Sequence, residues 1–302
     1  MSLAILCPGQ GGQHSGMFDV IAGHPEGEAV IAMTDRALSA STRDAVKEDL
    51  YRNDRAQPLI CAAILSRWRM VEPDLPKPGL VLGYSVGEVA AHAIAGSYST
   101  EACLRLAARR AVFMDQASPA DAGLIAILGM NETQIRALCE DSGAEVAIVN
   151  AATHYVLGGA SDALDAAAEV ARSHSARIVR LKVGSPAHTS WLHPAAAAFE
   201  QELSSIAITA PTLPILASID GHPVRNANDV KESLAAQMSR TVNWQRCIAH
   251  AVEMGVSAFL ELGPGNALSR IVHESFPKVH ARSLDDFRTV SGAITTTRRV
   301  LQ

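Results

Sequence analysis

Apolar residues follow two rhythms along the chain. Short unbroken runs, "LAILC" at residues 3 to 7 and "GLVLG" at 79 to 83, have the length of buried strands, and "AFLELG" at 258 to 263 also reads as a strand. Between them the pattern is helical. The loop "PGQGGQHSGM" leaves the first run, the chain is largely helical to about Met70, and Pro73, Pro76 and Pro78 mark a linker before the second run. Further on, "PAAAAFEQELSSI" and "VKESLAAQMSR" read as helices, another follows from Asn266, and Ser283 with Asp286 predicts the cap of a final helix.

The stretch from 122 to 183 breaks this pattern with shorter units. "GLIAILGM", "EVAIVN", "HYVLGG" and "RIVRLKV" read as strands, and "NETQIRALCEDS" and "ASDALDAAAEVARSH" as helices. Their order, βαββαβ, is the split unit of a ferredoxin-like subdomain. Asn131 with Gln134 signals the start of the first of these helices. There is no internal repeat, so the expected architecture is a large α/β domain, 1–120 and 186–302, carrying a small insert at 121–185.

Composition narrows the function classes. At 302 residues and 48% hydrophobic content the chain can bury a large core, and its formal charge of -5 offers no basic field for nucleic acid. The start lacks a basic segment followed by a long apolar one, and no apolar stretch reaches spanning length, so a cytoplasmic protein without a membrane partner is expected. The five cysteines form no CxxC pair, which suggests buried thiols rather than a metal site or a disulfide frame.

The chemistry centres on "LVLGYSVGEVAAHAIAG". A nucleophile elbow needs a sharp strand-to-helix turn with glycines two before and two after the serine, and Gly83, Ser85 and Gly87 meet that demand between a buried strand and a helix. Ser85 is therefore the candidate nucleophile, and the Val86 N–H at the helix start can face developing negative charge. Of the eleven histidines, six lie in polar helix or loop contexts: His24, His174, His222, His250, His273 and His280. His92 is too far along the same helix to reach back. His188, in the loop "GSPAH" that returns the chain from the insert, is the candidate base.

Two further segments carry chemistry. In "EACLRLAARRAVFMDQA", Arg110 falls on the apolar stripe and Arg109 off it. A buried arginine fits an internal salt bridge, a side chain snorkelling to solvent, or a bidentate clamp for a substrate carboxylate. The loop "PGQGGQHSG" is neither a Walker loop nor a dinucleotide fingerprint, since Met17 follows Gly16 and His14 takes the third glycine position. It suits the second half of an oxyanion hole.

Taken in order, "PGQGGQ", "GYSVGEVAA", "RRAVFM", "SPAH", "AAQMSRTVNW" and "ELGPGNAL" resemble the malonyl-CoA:acyl carrier protein transacylase family from residue 4 to about residue 272. The resemblance implies an α/β-hydrolase-like large domain with a ferredoxin-like insert. It implies Ser85 as nucleophile, His188 as base, the amides of Gln10 and Val86 as oxyanion hole, and Arg110 as partner of the malonyl carboxylate. Gln237 matches a residue whose main-chain carbonyl orients the histidine, and Asn150 one near the acyl pocket. Malonyl-CoA is then the donor, an acyl carrier protein the partner, and no cofactor is permanently bound.

The sequence departs from the fatty-acid synthesis members, whose pattern is GHSLGE with a serine before the histidine. Here Tyr84 precedes the nucleophile, Val86 follows it and Ala187 precedes His188. With Gly12 in the first loop and the "ARSLDDF" tail, this looks more like the malonyltransferase subunit of bacterial malonate decarboxylase, whose other subunits become candidate partners. A fatty-acid or polyketide transacylase is the alternative, and a serine thioesterase or a non-catalytic binding module are more distant ones. An acidic carrier needs a basic rim, for which Arg180 and Lys182, sharing one face of the strand that leads to His188, and Arg177 close by are the candidates.

Overall fold

The buried run at the start of the chain becomes an interior strand of a parallel sheet. The computed structural model of the protein describes residues 2–47 and 50–302. In chain order, β1 (Ser2–Cys7) is followed by α1 (Pro25–Leu38), the one-turn α2 (Thr42–Ala45), α3 (Asn53–Val71), β2 (Leu80–Gly83), α4 (Val86–Ile94) and α5 (Thr100–Ala117). Next come β3 (Ala122–Leu128), α6 (Glu132–Ser142), β4 (Glu145–Ala151), β5 (His154–Ala160), α7 (Ser161–Ser173) and β6 (Arg177–Arg180). The chain closes with α8 (His193–Ser204), α9 (Ala227–Ala236), β7 (Val242–Asn243), α10 (Trp244–Glu253), β8 (Val256–Glu261), α11 (Ala267–Ser275), β9 (His280–Ser283) and α12 (Val290–Val300).

The large sheet has the order β2-β1-β8-β9 and every pairing in it is parallel. β1 and β2 are apolar at nearly every position because helices cover both faces, and α3 is buried along almost its whole length. In such sheets ligands gather beyond the carboxyl ends of the strands. Here the turns after Cys7, Gly83 and Glu261 all emerge at that end.

The expected insert is present, with strand order β6-β3-β5-β4 in antiparallel pairing, and the mixed α/β class expected from the sequence is borne out. Alternation along β3 explains how it joins the rest: Ile125 and Ile127 pack with Leu138, Leu157 and Leu164 of the small core, whereas Leu124 and Ala126 face the large one. A fifth strand, β7, pairs in parallel with β4 at Ile148 and Val149. It comes from outside 121–185, so the small sheet is completed by the large domain's own chain.

Two sequence expectations are corrected. The strand expected over "RIVRLKV" ends at Arg180; one more bond, from Leu181 N to Leu124 O, follows it before the chain leaves β3. Lys182 therefore lies beyond the strand. The Ser283–Asp286 box forms, but it closes a single 3-10 turn at Leu284–Asp286. Asp285 is bound by Gly265 N and Arg67, and Asp286 by Asn266 and Arg282, so the turn is pinned and does not grow. The final helix starts later, capped by Thr289 on Gly292 N.

Candidate active site

Between β2 and α4 the backbone reverses within two residues, and Ser85 sits at the apex with φ 54° and ψ −125°. A side chain other than glycine's is strained there, and the surroundings hold it in place. The glycines of the motif are required by close approach: a Cβ on Gly83 would lie 2.1 Å from Glu88 Cα, and one on Gly87 2.1 Å from Cys7 O. Gly9 of the first loop is close too, with Tyr84 O at 2.8 Å from the same construction. The turn after β1 is thereby pressed against the elbow.

His188 arrives from the other side of the chain, also at positive φ, 64°. Its Nε2 is 2.8 Å from Ser85 Oγ and its Nδ1 is 2.5 Å from the main-chain oxygen of Gln237. A carbonyl only accepts, so Nδ1 carries the proton and the Nε2 lone pair faces the serine hydroxyl. The His188 amide donates to Met238 O at 2.9 Å, which fixes the loop as well as the ring. Burial, and secondarily the charge of Arg110, lowers the imidazole to about 3, against the opposing effect of the Gln237 bond. The imidazole is neutral at physiological pH.

Arg110 is 1% exposed. Its Nη1 donates to Gln57 Oε1 and its Nη2 to Gln237 Oε1, each at 2.8 Å, and among the described residues no carboxylate is in ion-pair contact with it. Of the three readings open for a buried arginine, the internal salt bridge and the snorkelling side chain are removed by this geometry. Burial lowers its pKa to about 10. Arg109, by contrast, is half-exposed and pairs with Glu202.

Among the described residues, the amides of Gln10 and Val86 have no acceptor within the protein. The loop bearing Gln10 is held from three sides. Gly11 N donates to Gln13 Oε1 at 2.6 Å, Gly12 lies so close to Pro264 O that a Cβ would stand 2.2 Å from it, and Arg67 ties Met17 O and Leu262 O together. Asn150 is buried and accepts from the Tyr84 hydroxyl at 3.1 Å, while its amide nitrogen meets His154 Nε2 at 3.3 Å. The Tyr84 ring stands edge-on to Trp244.

A neutral imidazole on a strained serine, two amides without acceptors and a guanidinium without a carboxylate partner have the chemistry that acyl transfer from an activated acid needs. The profile of the acyl transferase domain matches residues 5–291. The chain belongs to the acyl transferase family. It is 30% identical to the malonyl CoA-acyl carrier protein transacylase of Salmonella typhimurium over 97% of this chain and 98% of that one, and 33% identical to that of Mycobacterium bovis over 93% and 96%. Among solved structures, the malonyl CoA-acyl carrier protein transacylase of Coxiella burnetii superposes with a TM-score of 0.94 at 28% identity, covering 100% of this chain and 98% of that one. A malonyl transacylase solved in complex with a type II PKS acyl carrier protein superposes equally well, at 0.94 and 25% identity, over 98% of this chain and 100% of that one.

Against this family background, the expected site residues fall into two groups. Ser85, His188, Gln10, Val86, Arg110 and Gln237 are brought together, with Asn150 joined to them through Tyr84. The expected carrier rim is less uniform. Arg177 is exposed, but Arg180 is bound to Asp165 at 2.6 Å and Ser161 at 2.9 Å, and Lys182 lies over the Tyr51 ring. Lys182 also lines a cavity of about 760 Å³ with Tyr51, Asn53, Val112 and Asp115, which Ser85, His188 and Arg110 do not line. Glu88, Gln57 and Ser218 are not singled out by the sequence, where none of them carries a spacing that points to the site. No described helix is long and apolar enough to cross a membrane.

Proposed function

We propose that this acyl transferase moves a malonyl group from malonyl-CoA to the thiol of a carrier-protein arm through a Ser85 acyl-enzyme. His188 Nε2 takes the Ser85 proton as Oγ attacks the thioester carbonyl, and the amides of Gln10 and Val86 receive the tetrahedral oxyanion. Collapse expels the CoA thiolate, which takes the proton back from His188. The carrier thiol then repeats the sequence in reverse on the malonyl ester, freeing Ser85. Gln237 O holds the imidazolium that forms in each half, in the place a carboxylate takes in a Ser-His-Asp triad. No permanently bound cofactor enters these steps.

The observation that carries the malonyl assignment is the buried Arg110 guanidinium, whose partners are two neutral amide oxygens. A planar cation so placed fits a carboxylate end-on, which malonyl has and acetyl lacks. The names of the relatives point the same way. The test is steady-state transfer from malonyl-CoA to a carrier protein: the wild type transfers, Ser85→Ala does not, and hydrolysis outpacing transfer in the wild type would make the protein a thioesterase.

The acceptor admits two settings. The relatives' names and the carrier complex favour a fatty-acid or polyketide carrier with a phosphopantetheine arm. Tyr84, Ala187 and the "ARSLDDF" tail favour the malonyltransferase subunit of malonate decarboxylase, with its dephospho-CoA-type arm. Within the protein that tail latches the turn after β8 onto the Gln10 loop, through Asp285 to Gly265 N at 2.7 Å and Ser283 Oγ to Gly265 O at 2.6 Å. We favour the decarboxylase setting. Faster transfer to a phosphopantetheine carrier than to a dephospho-CoA-type arm would reverse that choice.

A further inference from the structure

We infer that Glu88 is a positioning residue that aims Arg110 at a carboxylated acyl group by fixing the side-chain amide of Gln237, an inference that rests on the malonyl reading above. A glutamate three residues after a helix's N-cap ordinarily turns back to cap it. Glu88 does not: the cap bond is absent and its carboxylate is 0% exposed, turned inward. One oxygen accepts from Ser218 N at 3.3 Å; the other accepts from Ser218 Oγ and, at 2.7 Å, from Gln237 Nε2.

Gln237 Nε2 has a second use, donating to Ser85 O at 2.9 Å. With both amide hydrogens directed to one side, Oε1 is left facing Arg110 Nη2 at 2.8 Å. A carboxamide turned over by 180° has almost the same shape, yet it would set its NH₂ against the guanidinium, donor to donor. Above its pKa the Glu88 carboxylate has no hydrogen to give, and in that state it selects the orientation that suits Arg110. Gln57 supplies the matching acceptor on Nη1. Two guanidinium nitrogens are thereby anchored, which fixes the plane of the fork that a malonyl carboxylate meets.

The charges fit this role. Glu88 and Arg110 are one side chain apart; burial raises the Glu88 carboxyl to about 7, and the bonds from Ser218 and Gln237 and the charge of Arg110 all oppose that rise. Gln237 thus serves twice: its backbone oxygen orients the base, and its side chain, set by Glu88, orients the clamp.

The experiment compares kcat and KM for malonyl-CoA and acetyl-CoA in wild type, Glu88→Gln and Ser218→Ala, with thermal melts on each. In Glu88→Gln the ratio of kcat/KM for malonyl-CoA over acetyl-CoA should fall at least tenfold, mostly through the KM for malonyl-CoA. Ser218→Ala, which removes one support of Glu88, should lower the same ratio by a smaller factor of about three. Equal losses on both substrates would overturn the inference, since a purely structural role lowers both together. If Glu88→Gln does not fold, the Ser218→Ala ratio decides, and a ratio unchanged from wild type overturns it. A wild type that forms no malonyl-enzyme would instead refute the malonyl reading, and this inference with it.

Discussion

Two histidines in different parts of the large domain share one electrostatic signature and have opposite surroundings. His92, on α4, and His188, in the loop after the small subdomain, are both fully buried, and burial lowers both to about 3. His188 has an acceptor on Nδ1 and the serine hydroxyl on Nε2, each within 2.8 Å. His92 has Ser97 Oγ at 3.4 Å on one nitrogen and, among the described residues, no partner on the other, with Tyr98 beside its ring. A depressed pKa therefore marks burial and not function. What separates a base from a core residue is the acceptor that fixes its tautomer and the hydroxyl that meets its lone pair.

The largest expected effect that sharpens this contrast is at His188. His188→Ala should lower kcat/KM for malonyl-CoA by roughly 10²–10⁴, the usual worth of a general base, in a steady-state assay. Next is Arg110→Ala, which should cost malonyl-CoA far more than acetyl-CoA; equal losses would remove the clamp from the account. The same buried arginine is the second cause of the low His188 pKa, a cause that does not act on His92.

Acid pH tests the two histidines together. A pKa of about 3 in the fold, below the ordinary 6.5, means that the unfolded chain binds more protons between those values, so stability falls as pH drops through that window. Each histidine contributes a slope of about 1.4 kcal/mol per pH unit. Glu88 and Glu261, raised by burial to about 7, act in the opposite sense, adding stability as pH falls from about 7 to 4.5. Urea midpoints should therefore change little between pH 6.5 and 4.5 and fall steeply below it. With acetyl-CoA, which does not use the Arg110 clamp that Glu88 sets, activity per folded molecule should show no loss centred at the ordinary histidine value, and a titration of its kcat/KM near 6.5 would mean that His188 is not held neutral.

The smallest effect is expected at His92. His92→Leu removes a buried nitrogen without a partner, so stability should stay within about 1 kcal/mol of wild type, or rise, and activity should be unchanged. The acid slope should lose one proton. A large drop in kcat/KM would break the comparison by giving His92 a role in the chemistry.

How much of this could be read in the sequence follows from how far each contact reaches. The elbow was legible because Gly83, Ser85 and Gly87 are neighbours and the steric demand is local. The βαββαβ order was legible because alternation and capping are local too, as the Asn131–Gln134 box shows. The pairing of His188 with Ser85 spans 103 residues, and only the loop's position hinted at it. Gln237 and Asn150 entered through resemblance alone, since a glutamine acting through its backbone oxygen leaves no mark on residue type. Glu88 was hidden because a glutamate at that helix position has an ordinary explanation. β7, two residues long, is set by register against β4 and not by its own pattern.

The most direct test of the account is intact-protein mass spectrometry after brief exposure to malonyl-CoA, with peptide mapping of the adduct and Ser85→Ala alongside. The account predicts one malonyl group per chain, on the peptide containing Ser85, and none in the variant. An adduct on another residue, or an unmodified wild type with its donor intact, would contradict it.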